Sequence, residues 1–154
     1  MQQWRLFRRK VADEVGTASL EFVTAGMILL LPMVYLVLTM SALQAGSLAV
    51  EGAARHAARV YVQAPNTRDA EAEAERAIRF ALADYGLDPS EASVAISCSP
   101  RPADCLRRRG IVTITVEVSV GLPLVPPALT IGGPVTVPLR STATEQVSRF
   151  WGAQ

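Results

Sequence analysis

The 154-residue sequence is poor in the side chains that most catalytic and metal sites require. One histidine and two cysteines leave almost no material for a metal centre. There is no G-x-S-x-G, no H-E-x-x-H and no glycine-rich phosphate loop, so we expect no enzyme activity, no cofactor and no metal site. The net charge of +1 gives no general attraction to nucleic acid. The low aromatic content of 6% requires a core of Val, Ile, Leu and Ala.

One long segment also lacks charge. No Asp, Glu, Lys, Arg or His occurs from Phe22 to Val50, and a membrane-spanning helix needs roughly 20 mostly apolar residues. Residues 1–10 carry basic side chains and no acid. Because a basic flank stays in the cytoplasm, we expect the carboxyl-terminal part outside. The apolar core of a secretory leader has only about 7–15 residues, so we expect the helix to be kept, although Ala45 and Ala49 offer late cleavage sites.

The helix is expected to continue beyond the uncharged run. Glu51, Arg55 and Arg59 follow at intervals of four residues, so they share one helical face and can pair. This spacing predicts an amphipathic stalk over residues 51–63 that ends before Pro65. His56 is expected to be a surface or packing residue of this stalk.

A second helix is predicted from Thr67 to Tyr85. Its apolar side chains recur with helical period, and they are Ala70, Ala74, Ala77, Ile78, Ala81, Leu82 and Tyr85. Asn66 or Thr67 can cap its start, and Gly86 is suited to a left-handed residue that ends it.

Period-two alternation from Ala92 onward predicts a small antiparallel sheet of three strands. The strongest strand has Val112 to Val120 on one face and polar residues on the other. Pro138 lies in the third strand and favours a sheet edge. Residues 141–154 fit either an extension of that strand or a short helix. We therefore expect an α+β protein with its small extracytoplasmic domain in residues 66–154.

The two cysteines, Cys98 and Cys105, flank a short loop. Outside the membrane such a pair is expected to form a disulfide. A run of three arginines, residues 107–109, follows. It is expected to be a solvated loop, with contact to phosphate or nucleic acid as the lesser alternative.

The start of the chain resembles a prepilin signal of the type IV pilin class. The resemblance is carried by the basic leader, by Gly16-Thr-Ala-Ser-Leu-Glu21 and by the long apolar run. The internal Leu31-Pro32 and the Ala/Arg-rich stalk narrow it to the TadE-like (TadE/TadF) pseudopilins of the tight-adherence (Flp) pilus system. Phe22 stands where Flp-type pilins often carry Tyr.

The resemblance implies a set of expectations about processing and assembly. A prepilin peptidase would remove residues 1–16 by cutting between Gly16 and Thr17. Residues 17–50 would form the transmembrane and assembly helix of a pilin-like fold, with Thr17 and Glu21 as the assembly pair. The implied partners are the peptidase, other pilins or pseudopilins, the assembly platform and the lipid bilayer. The implied location is the cytoplasmic membrane or an extracellular pilus.

Two other interpretations remain open at this point. The chain fits a single-pass, membrane-anchored binding domain of the cell envelope, in which Gly16 and Glu21 have no special role. It also fits a competence-type or secretion-type pseudopilin, in which the arginines at 107–109 contact DNA or an exported substrate.

Overall fold

A computed structural model of the protein describes the backbone of residues 3–125 and 135–152 and the side chains of residues 18–125 and 135–152. The chain divides into two compact units, Met1–Thr39 and Met40–Gln154. In the described ranges the elements are two α-helices, a short 3-10 helix and three strands. Their bounds are α1 Gln3–Gln63, α2 Thr67–Ala83, the 3-10 helix Pro89–Glu91, β1 Ser93–Ser99, β2 Ile111–Gly121 and β3 Thr136–Gln146.

The first helix is continuous over 61 residues and passes through Pro32. It contains the whole uncharged run as well as the stalk predicted for residues 51–63. The ion pair predicted between Glu51 and Arg55 is present. The expected long amino-terminal helix is therefore confirmed.

Both ends of α2 follow from local side-chain chemistry. Asn66 caps the start, since its Oδ1 accepts the backbone N–H of Asp69 at 2.9 Å. At the other end Gly86 is left-handed with φ of +71°. The N–H of Leu87 then donates to the carbonyl of Leu82 at 3.0 Å. This is the Schellman arrangement that the sequence predicts, although regular α-helix stops at Ala83 and not at Tyr85.

The three strands form one antiparallel sheet in the order β1-β2-β3. The central strand, β2, alternates between buried and partly exposed residues along its length. The strand with Pro138 lies at an edge, as predicted, and Pro138 is opposite Ser119. For residues 141–154 the outcome is a longer strand, because β3 runs to Gln146 before the chain turns.

The core of the second unit lies between the helices and one face of the sheet. Alanines supply much of the helical side, and aliphatic residues of β2 supply the sheet side. The buried residues include Ala49, Val50, Ala53, Ala57, Tyr61, Ala70, Ala74, Ile78, Leu82, Val112, Ile114, Val116 and Val118. Small side chains allow helix and sheet to approach closely, which matches a sequence with few aromatic residues.

Candidate functional site

The most distinctive exposed surface is an uncovered apolar segment of α1, residues 18–40, which ends at the first residue of the second unit. Every described residue from Ala18 to Leu38 is exposed. Phe22 is 80% exposed and Leu29 is 72% exposed. In the described part of the chain, this helix alone is long and apolar enough to cross a membrane, with a mean hydropathy of 2.2 in its most apolar window. At 1.5 Å per residue the apolar segment is about 35 Å long, slightly more than the hydrocarbon thickness of about 30 Å.

The two threonine side chains within the apolar segment donate hydrogen bonds to its own backbone. Thr24 Oγ1 donates to the carbonyl of Leu20 at 2.7 Å. Thr39 Oγ1 donates to the carbonyl of Tyr35 at 2.8 Å. Threonine commonly forms this bond one turn back along a helix. It leaves neither hydroxyl proton without an acceptor, which is what a hydrocarbon environment requires.

The predicted cleavage and assembly residues lie near the start of the apolar segment. Gly16 and Thr17 are within α1, in the part whose side chains the structure does not describe. Glu21 is described and is exposed. Thr17 and Glu21 are four residues apart on a continuous helix, so their backbone positions share one face. Among the described side chains, the ion pairs are Glu51 with Arg55 and Glu75 with Arg79, and neither involves Glu21.

Packing of α1 against the sheet begins inside the uncharged run. Gly46 is buried, and a Cβ placed on it would lie 2.8 Å from Val120 Cγ2 and 2.9 Å from Leu139 Cδ1. Ala49 and Val50 are both only 1% exposed. The part of α1 without core contacts therefore ends well before Glu51, the first charged residue after the uncharged run.

Tyr61 lies further along the same helix and is almost fully buried. Burial raises the pKa of its phenol above the ordinary value, and the nearby carboxylate of Glu71 adds to that rise. The phenol therefore stays neutral in the folded protein under ordinary conditions. This arrangement fits a core residue better than an acid–base catalyst.

The end of the second unit away from Gly46 is held by a disulfide bond and a side-chain hydrogen bond. Cys98 in β1 and Cys105 in the following loop form a disulfide, with their Cα atoms 5.1 Å apart. Trp151 Nε1 donates to the carbonyl of Ala64 at 3.0 Å, just past the end of α1. The arginines of residues 107–109 are exposed, and Arg108 Nε donates to the carbonyl of Trp151 at 2.9 Å.

Metal ligands and known relatives add nothing to the residues described above. No group of three or more His, Cys, Asp or Glu among the described residues could hold a metal ion. Comparisons of the chain with models of protein families, with curated proteins and with solved structures find no match. The length and exposure of the apolar segment make it, together with Glu21, the candidate functional site.

Proposed function

We propose that the protein is an accessory pilus subunit, a TadE-like pseudopilin of a tight-adherence system. The observation that carries the proposal is that α1 has an exposed apolar part and a part buried in a folded core. Residues 18–40 expose an apolar surface, whereas residues such as Ala53 and Ala57 of the same helix are buried in the core of a small α+β unit. A pilin-like subunit needs both properties in one helix: an apolar part for membrane storage and filament contact, and a part that carries the extracytoplasmic domain.

The proposed processing follows from the residues before the apolar segment. A prepilin peptidase would cut after Gly16 on the cytoplasmic side, which makes the amino group of Thr17 the new terminus. Glu21 would then lie one helical turn from a positive charge. A carboxylate costs roughly 2.5–3.5 kcal/mol at the centre of a bilayer, and the cost is smaller near the end of the span, where Glu21 lies. The amino group of a neighbouring subunit would neutralise it, so assembly would remove an unfavourable charge from the apolar environment.

A single-pass anchored binding domain is the main alternative from another class, and the exposed apolar segment supports it equally. The two functions differ at Gly16 and Glu21, which matter only to a pilin-like subunit. Resistance of the chain to prepilin peptidase would favour the anchored domain. A competence-type or secretion-type pseudopilin would instead be favoured by salt-dependent DNA binding through the exposed arginines at 107–109.

The assembly role can be tested by substituting Glu21 in cells that produce the whole pilus system. We expect Glu21→Ala to leave the protein in the membrane fraction and to reduce its recovery in sheared pili or in the complex that initiates them. Glu14→Ala is the matched control, because Glu14 belongs to residues 1–16 and would be absent from the mature chain. Normal pili and normal incorporation of the Glu21→Ala protein would contradict the assembly role.

A further inference from the structure

At each described end of the connection between β2 and β3 an apolar side chain is exposed to solvent. From Val118 to Leu139 the sequence contains no Asp, Glu, Lys, Arg or His. In the described parts of this connection, Leu124 is 72% exposed and Val135 is 41% exposed. A backbone hydrogen bond of 3.0 Å from the N–H of Leu122 to the carbonyl of Val135 holds the two sides together. The exposed leucine therefore lies directly beyond the end of a regular two-stranded ladder.

Leu124 also has a backbone conformation that is unfavourable for leucine. Its φ is +57°, in the left-handed region that glycine and asparagine adopt at much lower cost than other residues. A polar or small residue would suit both the backbone and the solvent at this position. Leucine at this position therefore carries two costs, an unfavourable φ and an apolar side chain exposed to water. The second cost disappears where the apolar surface is covered.

The described ends of the connection lie at the end of the second unit where the chain enters that unit. A Cβ on Gly46 would touch Val120 and Leu139, the residues that lead into the connection. Gly46 is only about 9 Å along α1 from Met40, at 1.5 Å per residue, and Met40 begins the unit. The other end of β2 lies about 34 Å away, at 3.4 Å per residue. Leu124 therefore lies at the end of the second unit where α1 enters that unit at Met40.

We propose that Leu124 and Val135 insert into the interfacial layer of the bilayer that α1 crosses, as a second, peripheral membrane contact. The occupant is a lipid surface, since the partner must supply apolar area without charge at the end of the second unit where α1 enters it. The absence of ionisable side chains in the connection means that neutral phosphatidylcholine is sufficient and that the contact is insensitive to salt. This inference rests on the proposed membrane anchoring and adds a fixed orientation of the extracytoplasmic unit.

The experiment uses the full chain in phosphatidylcholine nanodiscs with its native disulfide intact. Single cysteines are introduced as Leu124→Cys, Phe150→Cys or Leu30→Cys and labelled with the same environment-sensitive NBD fluorophore. Lipids with a nitroxide near the headgroup or along the acyl chain then act as quenchers. Phe150 is the matched control, because it is an apolar side chain, 64% exposed, in the segment that follows β3 at the opposite end of the sheet.

We expect the label at position 124 to lose most of its emission to nitroxide near the headgroup, with a blue-shifted spectrum, at low and at high salt. The label at position 150 should stay unquenched, which also excludes insertion driven by the fluorophore alone. A position-124 label that behaves like the position-150 label, while the position-30 label is quenched, would overturn this inference and leave the membrane span intact. An unquenched label at position 30 would overturn the anchoring itself.

Discussion

Replacement of Gly46 by alanine tests the packing of α1 against the sheet. The backbone of Gly46 is so close to β2 and β3 that an added Cβ would lie 2.8 Å from Val120 Cγ2 and 2.9 Å from Leu139 Cδ1. Both distances are well inside normal carbon–carbon contact of about 3.5–4.0 Å. Gly52 lies on the same helix and offers a matched control, because a Cβ there would meet nothing within 4 Å.

The expected magnitudes come from two opposing effects. Alanine in place of glycine inside a helix stabilises by roughly 0.5–1 kcal/mol, and this gain applies to both positions. Overpacking of a filled core costs about 1–3 kcal/mol, and this cost applies only to Gly46. We therefore expect Gly52→Ala to raise the free energy of unfolding, and Gly46→Ala to fall about 1–3 kcal/mol below it.

The measurement is urea unfolding of the full chain in detergent micelles. The sequence has two tryptophans, Trp4 and Trp151, so a Trp4→Phe background leaves Trp151 fluorescence as a reporter of the second unit. The hydrogen bond from Trp151 to Ala64 ties the reporter to the end of α1. Equal midpoints for Gly46→Ala and Gly52→Ala would show that the helix does not approach the sheet at Gly46, and would refute the packing described.

Two further predictions concern the second unit. Replacing Cys98 and Cys105 by serine should lower the free energy of unfolding by roughly 2–3 kcal/mol, because a short loop in the unfolded chain is no longer closed. Urea unfolding with and without dithiothreitol measures this change. If the reductant has no effect on the stability of the wild type, the prediction is contradicted. The wild type should lose stability at alkaline pH as Tyr61 gives up its proton, and Tyr61→Phe should abolish that loss. Burial and the Glu71 carboxylate raise the pKa of Tyr61 in the folded chain above the 10.0 of an ordinary tyrosine. Its contribution is therefore fully present below pH 10 and is lost as the pH rises through the folded pKa. Parallel stability–pH curves for the variant and the wild type above pH 10 would contradict the assignment.

The secondary structure could be predicted from sequence wherever one period dominates. The strand of Val112 to Val120 alternates without interruption, and the ladder follows that alternation. The cap at Asn66 and the left-handed Gly86 were also predictable, because each residue type suits only a few backbone conformations. Residues 141–154 were not, because short side chains such as Thr142, Ala143 and Thr144 fit a helix as well as a strand.

The features of the candidate site were predictable only in part. Hydropathy locates the uncharged run, but it does not show where lipid-facing surface ends and core packing begins. Gly46 and Ala49 are small and apolar, so they suit either environment. Only the close approach of Gly46 to Val120 and Leu139 and the burial of Ala49 show that they belong to the core. The conformation of Leu124 could not be predicted either, because leucine rarely adopts a positive φ.

The central claim is tested most directly by the mature amino terminus. The full chain is produced together with its prepilin peptidase, and intact-mass and terminal-peptide mass spectrometry then identify the first residue. The proposed function predicts a start at Thr17 that is abolished by Gly16→Val but not by Gly26→Ala, since a Cβ at Gly26 would meet nothing within 4 Å. An intact Met1 in the presence of active peptidase, or a start just after Ala45 or Ala49, would contradict it.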